Sequence, residues 1–140
     1  EGYLDAGTAG CIQKKEIMEF LNTNVGKRMQ NAARAKTLYR EQPFVLGVDA
    51  KEFYPDQKKG EMVLIQGIID AYFEEDGEII VLDYKTDRVQ TEAELKDRYR
   101  EQLRLYTKAL EQITRKKVKE QIIYSFTLCK EIHLEGYKND

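Results

Sequence analysis

Apolar positions along the chain first recur at helical spacing and later alternate as they do in strands. Two short amphipathic stripes come first, and Thr23 and Asn24 are both good N-cap residues for the second of them. The stripes consist of Ile12, Ile17, Phe20 and Leu21, and of Val25, Met29, Ala32 and Ala33. The pattern predicts a loop or cut end over residues 1–12, followed by two helices that open a single domain over residues 13–140.

Three strand-like segments follow, at residues 37–48, 62–73 and 79–85. Pro43 lies in the first segment and favours an edge strand or a bulge, because proline cannot donate to a ladder. Asp76-Gly77 separates the second and third segments and is a strong signal for a two-residue hairpin turn. We therefore expect these two strands to form an antiparallel hairpin.

A capping box at Thr91–Glu94 opens a long helix that extends to about Ile113. Its apolar stripe consists of Leu95, Tyr99, Leu103, Tyr106 and Leu110. The last predicted strand covers residues 121–128, and a crossover through the helix makes it parallel to the strand at residues 79–85. The predicted fold class is α/β, with the element order ααβββαβ and a small mixed sheet flanked by helices.

Composition limits the classes of function. The chain has 140 residues, of which 41% are hydrophobic and 34% charged, with a formal net charge of −2. These values are typical of one folded domain without a global attraction to nucleic acid. DNA binding would need a local basic patch, for which the candidates are Lys27, Arg28, Arg34, Arg88, Arg98 and Arg104. No apolar run approaches the ~20 residues of a membrane span, and the pattern of a signal peptide is missing.

Several kinds of site lack the residues they need. The chain has two cysteines, Cys11 and Cys129, and one histidine, His133. A zinc site of Cys and His ligands needs about four such residues, and a four-cysteine iron–sulfur cluster is excluded. His133 lies too near the C-terminus to favour a Ser-His-Asp site. Neither a P-loop nor a Rossmann glycine pattern is present.

The Asp76-Gly77 turn fixes the register of the predicted hairpin. In a two-residue hairpin centred on this turn, Asp70 lies opposite Asp83. Lys85 is two residues beyond Asp83 and therefore on the same face of the strand. Opposed residues have Cβ atoms about 4.5–5.5 Å apart, so two carboxylates and one ammonium group should share a patch.

Two like charges this close, among apolar neighbours, are destabilising unless they are compensated. Lys85 offsets one charge and a divalent cation would offset both, and hard oxygen ligands favour Mg²⁺, Mn²⁺ or Ca²⁺. A cation beside a lysine can stabilise charge on a phosphoryl group, which indicates phosphodiester hydrolysis. The alternative is a solvated strand face on which the aspartates and the lysine form an ordinary ion pair.

Two further features bear on this patch. Gln102 and Tyr106 share a face of the long helix at i and i+4, and that helix must pack back on the sheet. Glu41 interrupts the first strand and could supply a third carboxylate. The alternatives are that Tyr106 is a core residue, Gln102 a boundary residue and Glu41 a surface charge of an edge strand.

Four segments carry a resemblance to a known family. They are Arg40-Glu41-Gln42-Pro43-Phe44, Gly67-Ile68-Ile69-Asp70, Val81-Leu82-Asp83-Tyr84-Lys85-Thr86-Asp87 and Gln102-Leu103-Arg104-Leu105-Tyr106. In this order they resemble the RecB-type branch of the PD-(D/E)XK nucleases, over residues 14–133. The resemblance implies a restriction-endonuclease-like core.

The resemblance also implies roles for single residues. Asp70 and Asp83, with the backbone carbonyl of Tyr84, would bind Mg²⁺, for which Mn²⁺ or Ca²⁺ could substitute. For the other positions it implies a catalytic lysine at Lys85, a supporting helix pair at Gln102 and Tyr106, and an auxiliary acid at Glu41. Members of this family usually carry a further histidine ligand upstream of the motifs, and none is present there in this sequence.

For the whole protein, the resemblance implies a Mg²⁺-dependent DNA exonuclease domain, excised from a bacterial helicase–nuclease that acts in double-strand break repair and recombination. The implied partners are a single DNA strand, the helicase region of the same full-length chain and an AddB-like partner protein, in the cytoplasm and away from membranes. ATP chemistry would belong to the helicase region, and no iron–sulfur cluster is expected. Without the histidine, we expect weak metal affinity and weak or absent activity in the fragment.

Two other functions remain open. The first is a catalytically inactive DNA-binding or scaffolding module of the same fold. The second is a structural domain whose hairpin carboxylates pair only with Lys85 and water.

Overall fold

The computed structural model describes residues 13–52 and 60–134. Within these ranges the helices are α1 (Lys14–Leu21), α2 (Asn24–Arg34) and α3 (Glu92–Thr114). The strands are β1 (Leu38–Asp49), β2 (Met62–Glu75), β3 (Glu78–Lys85), β4 (Val118–Ser125) and β5 (Lys130–Leu134), and a short 3₁₀ helix (Ala50–Glu52) follows β1. The predicted α/β class and element order are confirmed, and one further strand is added at the end. The loop predicted for residues 1–12 lies outside the described residues.

The five strands form one mixed sheet in chain order. β3 and β4 are parallel, as the crossover rule predicts, and the other neighbouring pairs are antiparallel. The hairpin of β2 and β3 has the predicted register, in which Ala71 pairs with Leu82 and Tyr72 with Val81. β1 is an edge strand, in agreement with the position of Pro43.

The end of the chain departs from the prediction. β4 ends at Ser125, and the chain then reverses so that β5 forms the second edge of the sheet. Cys129 takes the left-handed conformation in this reversal, with a φ of 56°. A glycine or asparagine would have signalled such a turn, and neither is present here. β5 is only 5 residues long, too short to give a clear alternation.

Helices cover both faces of the sheet. On one face, α1 and α2 bury Phe20, Val25 and Met29 against alternate residues of β2, β3 and β4. On the other face, α3 buries Leu103 and Leu110. Of the helices in the described ranges, none combines the length and the apolar character that a membrane crossing requires.

β1 and β2 change their inward-facing side near Asp70 and Glu41. Ile69 and Tyr72 both pack in the core under α3, whereas Ala71 packs on the side of α1 and α2. Since side chains alternate along a strand, the three-residue interval from Ile69 to Tyr72 means that one step of alternation is lost at Asp70. Glu41, across the ladder, has a φ of 51° in the left-handed region. On the two sides of Asp70 and Glu41, the hairpin therefore turns opposite faces of its strands toward the core under α3.

Beyond this change, the outer half of the hairpin of β1 and β2 folds against α3. Phe44 contacts Tyr106 of α3 edge to face, with ring centroids 5.6 Å apart. Glu52, after β1, pairs with Arg104 and Lys108. The described residues leave the opposite face of this outer half uncovered, and Val45, Met62, Leu64 and Ile68 are each more than half exposed. α3 is thus enclosed between the main sheet and the outer half of the hairpin.

Arg28 of α2 joins the ends of two strands. Its guanidinium group donates to both carboxylate oxygens of Glu75, at 3.0 and 2.8 Å, and to both oxygens of Glu120. It also lies 5.9 Å from the centroid of the Phe73 ring. The hydrogen bonds from Arg28 hold the pKa of Glu75 and the pKa of Glu120 below their usual range. Arg28 is therefore a structural residue of the α2 face.

We expect Arg28→Met to lower the free energy of unfolding by about 1–2 kcal/mol at neutral pH, because it leaves two partly buried carboxylates without their donor. Since the pKa values of Glu75 and Glu120 are lowered in the folded state, this stabilisation is present above the ordinary glutamate pKa. It is lost as the pH falls through the lowered values, so the difference between wild type and variant should shrink below about pH 4. Denaturant unfolding at neutral and acidic pH measures it.

Arg34→Met is the matched control, because the Arg34 guanidinium bonds only to Asn31 on the same helix among the described residues. Lys119 and His133 also face the two glutamates and are unchanged in both variants. If Arg28→Met lowers the free energy of unfolding by the same amount at acidic pH as at neutral pH, the electrostatic explanation is contradicted.

Candidate active site

β3 carries two charged residues on the face that α3 covers. Leu82 and Tyr84 pack on the side of α1 and α2, so the alternating residues Asp83 and Lys85 point to the other side. The side chain of Asp83 is 2% exposed and that of Lys85 15%. Strand alternation therefore places a carboxylate and an ammonium group under α3, as the sequence predicted.

Asp70 converges on the same place from β2. The pairing of β2 with β3 extends only to Ala71 and Leu82, and Asp70 Oδ2 accepts a hydrogen bond from the backbone N–H of Tyr84 at 2.9 Å. Burial raises the pKa of Asp70 to about 7, with further contributions from the charge of Asp83 and a hydrogen bond with it. The two carboxyl groups are thus neighbours, as predicted from the Asp76-Gly77 turn.

Lys85 is held from three sides. Its Nζ lies 2.8 Å from Asp83 Oδ2 and donates a hydrogen bond to Gln102 Oε1 at 2.9 Å. It also lies 3.9 Å from the centroid of the Tyr99 ring. The ammonium group therefore connects the strand that carries Asp83 with the helix that carries Gln102.

Tyr106 lies one helical turn after Gln102 on α3 and is almost completely buried. Burial, and after it the charges of Asp83 and Asp70, raise the pKa of its hydroxyl group well above the usual value. The hydroxyl is consequently protonated at neutral pH. Tyr106 and Gln102 both face the carboxylates, in agreement with their predicted i, i+4 spacing.

The donor set fits a divalent cation with oxygen ligands. Asp83 Oδ2 is buried and accepts no hydrogen bond from the described residues, although it forms the ion pair with Lys85. The raised pKa of Asp70 shows that a second negative charge is unfavourable here, and a bound cation would remove that penalty. Within residues 13–52 and 60–134, no group of three or more His, Cys, Asp and Glu side chains could hold a metal ion. Water would therefore complete the coordination, as is usual for Mg²⁺.

Glu41 stands apart from this cluster. It is exposed, and its side chain forms no hydrogen bond or ion pair with another residue in the described part of the chain. Its register position lies opposite Asp70, because Arg40 pairs with Ala71 and Gln42 with Ile69. An auxiliary role for Glu41 stays a prediction that rests on this position.

The candidate DNA-contact residues do not all lie on one surface, and DNA contact by any of them stays a prediction. Arg28 is bound to two glutamates on the α2 face, whereas α3 lies on the opposite face of the sheet. On α3, Arg98 donates to Asp87, and Arg104 pairs with Glu52 and a second glutamate. These partners are distant in sequence or depend on the helix geometry, so the composition of the segments could not reveal them.

Tyr99 and Asp87 are site residues that the sequence reasoning missed. The ring of Tyr99 contacts Lys85, and its hydroxyl group donates to Asp87 Oδ2 at 2.7 Å. The sequence pattern places Tyr99 only in the apolar stripe of the helix. The signal was its spacing, because Tyr99, Gln102 and Tyr106 at i, i+3 and i+7 share one face.

Comparisons with known proteins agree with this geometry. The chain matches the profile of the PD-(D/E)XK nuclease superfamily over residues 12–134. A protein of Lachnoclostridium phytofermentans, named as one of the subunits of an ATP-dependent helicase/nuclease, is 36% identical over 170 residues, covering 96% of this chain and 12% of the relative.

Proteins of the same name from other bacteria are similarly related. The protein from Clostridium kluyveri is 39% identical over 129 residues, and the match covers 89% of this chain and 10% of the relative's length. The protein from Thermoanaerobacter sp. (strain X514) is 44% identical over 116 residues, and the match covers 79% of this chain and 9% of the relative's length. The chain thus spans only about 9–12% of the length of these relatives.

We expect Gly67→Ala to destabilise the protein by about 1–3 kcal/mol, because an added Cβ overpacks this contact. The Cβ would lie 2.8 and 2.9 Å from two ring carbons of Phe44, and the buried Phe44 ring rests against Tyr106. Thermal unfolding measures the change. Gly47→Ala is the control, because its Cβ would meet only the exposed, flexible ends of Met62 and Leu64. If Gly67→Ala and Gly47→Ala lower the stability equally, the proposed contact with Phe44 is contradicted.

We expect Mg²⁺ to bind this chain more weakly than micromolar, because Asp70, Asp83 and one backbone carbonyl would supply only about three of the six ligands that Mg²⁺ takes. Titration calorimetry measures the affinity. Asp70→Asn should abolish binding, and Asp97→Asn, on the exposed face of α3, should leave it unchanged. Micromolar binding would contradict the expected weakness, and binding retained in Asp70→Asn would exclude Asp70 as a ligand.

Proposed function

Because the chain belongs to the PD-(D/E)XK nuclease superfamily, we propose that it is a nuclease domain that hydrolyses DNA phosphodiester bonds with Mg²⁺ as its cation. The observation that carries this proposal is the state of Asp83. Its carboxylate is 2% exposed and lies beside a second carboxyl group, and among the described residues Oδ2 has only the Lys85 ammonium group as a partner. Such burial argues against a solvated strand face, on which water would satisfy both oxygens.

The positions of the residues support a proposal for their roles. Asp70 and Asp83, with the backbone carbonyl of Tyr84, would hold the cation. When it is bound, the cation supplies positive charge beside the scissile phosphate. The Lys85 ammonium group is fixed at the same place, where it can donate to a phosphate oxygen or orient the attacking water.

Residues of α3 support this arrangement. Gln102 accepts a hydrogen bond from Lys85 and so orients the ammonium group. The Tyr106 hydroxyl can donate to a phosphate or water, but its raised pKa argues against a role as a base at neutral pH. Glu41 would act as an auxiliary acid at the edge of the site.

The names of the relatives support a proposal for the whole protein. The names describe a component of an ATP-dependent helicase/nuclease, and this chain corresponds to only a small share of the relatives' length. We place the chain in a bacterial helicase–nuclease, whose helicase region would deliver one DNA strand to the site. A cytoplasmic location, an AddB-like partner protein, exonuclease action and a role in double-strand break repair belong to the same proposal.

We expect Asp83→Asn and Lys85→Met each to reduce cleavage of single-stranded DNA by about 100-fold or more, since each removes charge that the transition state needs. The measurement is cleavage of an end-labelled strand with Mg²⁺ or Mn²⁺, in the longest form of the protein that carries the chain. Asp97→Asn is the control, because that carboxylate is 81% exposed. Equal rates in all four proteins would show that cleavage does not use this site.

A closed circular strand separates exonuclease from endonuclease action. An exonuclease leaves the circle intact and degrades its linear form, whereas cleavage of the circle would contradict the exonuclease proposal. Binding of DNA without cleavage of either form, with Mg²⁺ or Mn²⁺ present, would instead favour an inactive DNA-binding or scaffolding module.

A further inference from the structure

We propose that Tyr99 is a positioning residue that fixes the Lys85 ammonium group, and that Asp87 holds the Tyr99 ring in place. The proposal rests on the nuclease function proposed above, because it concerns the lysine of that site. It assigns a role to an aromatic ring and a carboxylate that lie outside the carboxylate pair.

The first argument is the surroundings of Lys85 Nζ. An ammonium group has three N–H bonds. Asp83 Oδ2 lies at 2.8 Å and Gln102 Oε1 at 2.9 Å, and the Tyr99 ring centroid lies at 3.9 Å. This distance is well inside the ~6 Å within which a cation is attracted to an aromatic face. The ring thus provides a third contact to the ammonium group of a side chain that is 15% exposed.

The second argument is that the ring itself is anchored. The Tyr99 hydroxyl donates to Asp87 Oδ2 at 2.7 Å, and Arg98 Nη1 donates to the same oxygen at 2.6 Å. Burial, and after it the hydrogen bond to Asp87, raise the pKa of Tyr99 to about 12, so that the hydroxyl remains a donor. Asp87 comes two residues after Lys85, and the segment leaving β3 therefore carries both the lysine and the anchor of its aromatic neighbour.

The alternative is that Tyr99 only fills space beside the core under α3, against which it packs. Packing alone requires neither the ring over Nζ nor the hydroxyl on a carboxylate. The two explanations differ in their consequences for conservative variants. Phenylalanine keeps the ring and loses the anchor, whereas leucine keeps apolar volume and loses the ring.

NMR of the chain labelled with ¹³C-lysine reads the contact directly. Because Nζ lies 3.9 Å from the ring centroid, the protons on the adjacent Cε of Lys85 should resonate upfield of those of the other lysines. Lys85→Met identifies the signal by its loss. Tyr99→Leu should return this signal to the range of the other lysines, and Tyr99→Phe should retain most of the shift. Asp87→Asn should lie between Tyr99→Phe and the wild type, because it weakens the anchor that Tyr99→Phe removes.

Tyr39→Leu is the matched control, because Tyr39 stacks on Tyr72 and is 41% exposed. It should leave the Lys85 signal unchanged. A Lys85 signal unaffected by Tyr99→Leu in a folded protein would overturn the proposal. The same holds for a shift that is lost equally in Tyr99→Phe and Tyr99→Leu.

Kinetics add a second readout, in the longest form of the protein that carries the chain. Tyr99→Leu should lower kcat about tenfold with little change in KM, and Tyr99→Phe should restore most of the loss. Equal kcat values in Tyr99→Leu and wild type would overturn a positioning role. If the wild type cleaves no DNA while the NMR shifts follow the expected order, the nuclease proposal fails and the contact between Tyr99 and Lys85 stands.

Discussion

A buried carboxylate beside a second carboxyl group is unfavourable in any protein, and the fold around Asp83 is arranged to compensate for it. Lys85 contributes one ammonium group, and the peptide N–H of Tyr84 donates to Asp70. The pKa of Asp70 is raised, so that one negative charge can be relieved by a proton. Removal of the lysine would leave the two acids without a nearby cation. The same imbalance makes the position suitable for a divalent cation.

The chain reaches this arrangement through the path of one long hairpin. The loss of one alternation step at Asp70 lets Ile69 and Tyr72 both face the core under α3. The outer half of the hairpin then encloses α3 from the side opposite the main sheet, through Phe44 and Glu52. Tyr106 therefore packs both in the core under α3 and against Phe44 of the outer hairpin. Rigid elements on both sides give a site its geometry more reliably than loops do.

The sequence predicted those parts of the site that depend on local signals. The Asp76-Gly77 turn gave the hairpin register, and strand alternation then placed Asp83 and Lys85 on one face. The helix spacing of Gln102 and Tyr106 gave their common direction. The capping box at Thr91 also gave the start of α3, where the Thr91 side chain accepts from the N–H of Glu94.

The parts that escaped prediction depend on partners far along the chain or on unusual backbone. Arg28 was a candidate for DNA contact because nothing near it in sequence reveals Glu75 and Glu120. β5 was missed because Cys129 takes a conformation that usually marks glycine or asparagine. Tyr99 looked like one more member of an apolar stripe, and only the packed structure shows the ammonium group over its ring.

The left-handed residue and the proline of β1 also affect how this protein meets other copies of itself. An unprotected edge strand offers N–H and C=O groups to which another chain can pair, which is a common route to aggregation. Within the described part of the chain, β1 is an edge of the sheet, and Val45, Met62, Leu64 and Ile68 are exposed on its neighbouring face. Glu41 breaks the regular extended backbone, and Pro43, which has no N–H, removes one donor only two residues later. A foreign strand would therefore lose its register at this point, so the bend that brings Asp70 to the site also makes the apolar edge a poor template for fibrils.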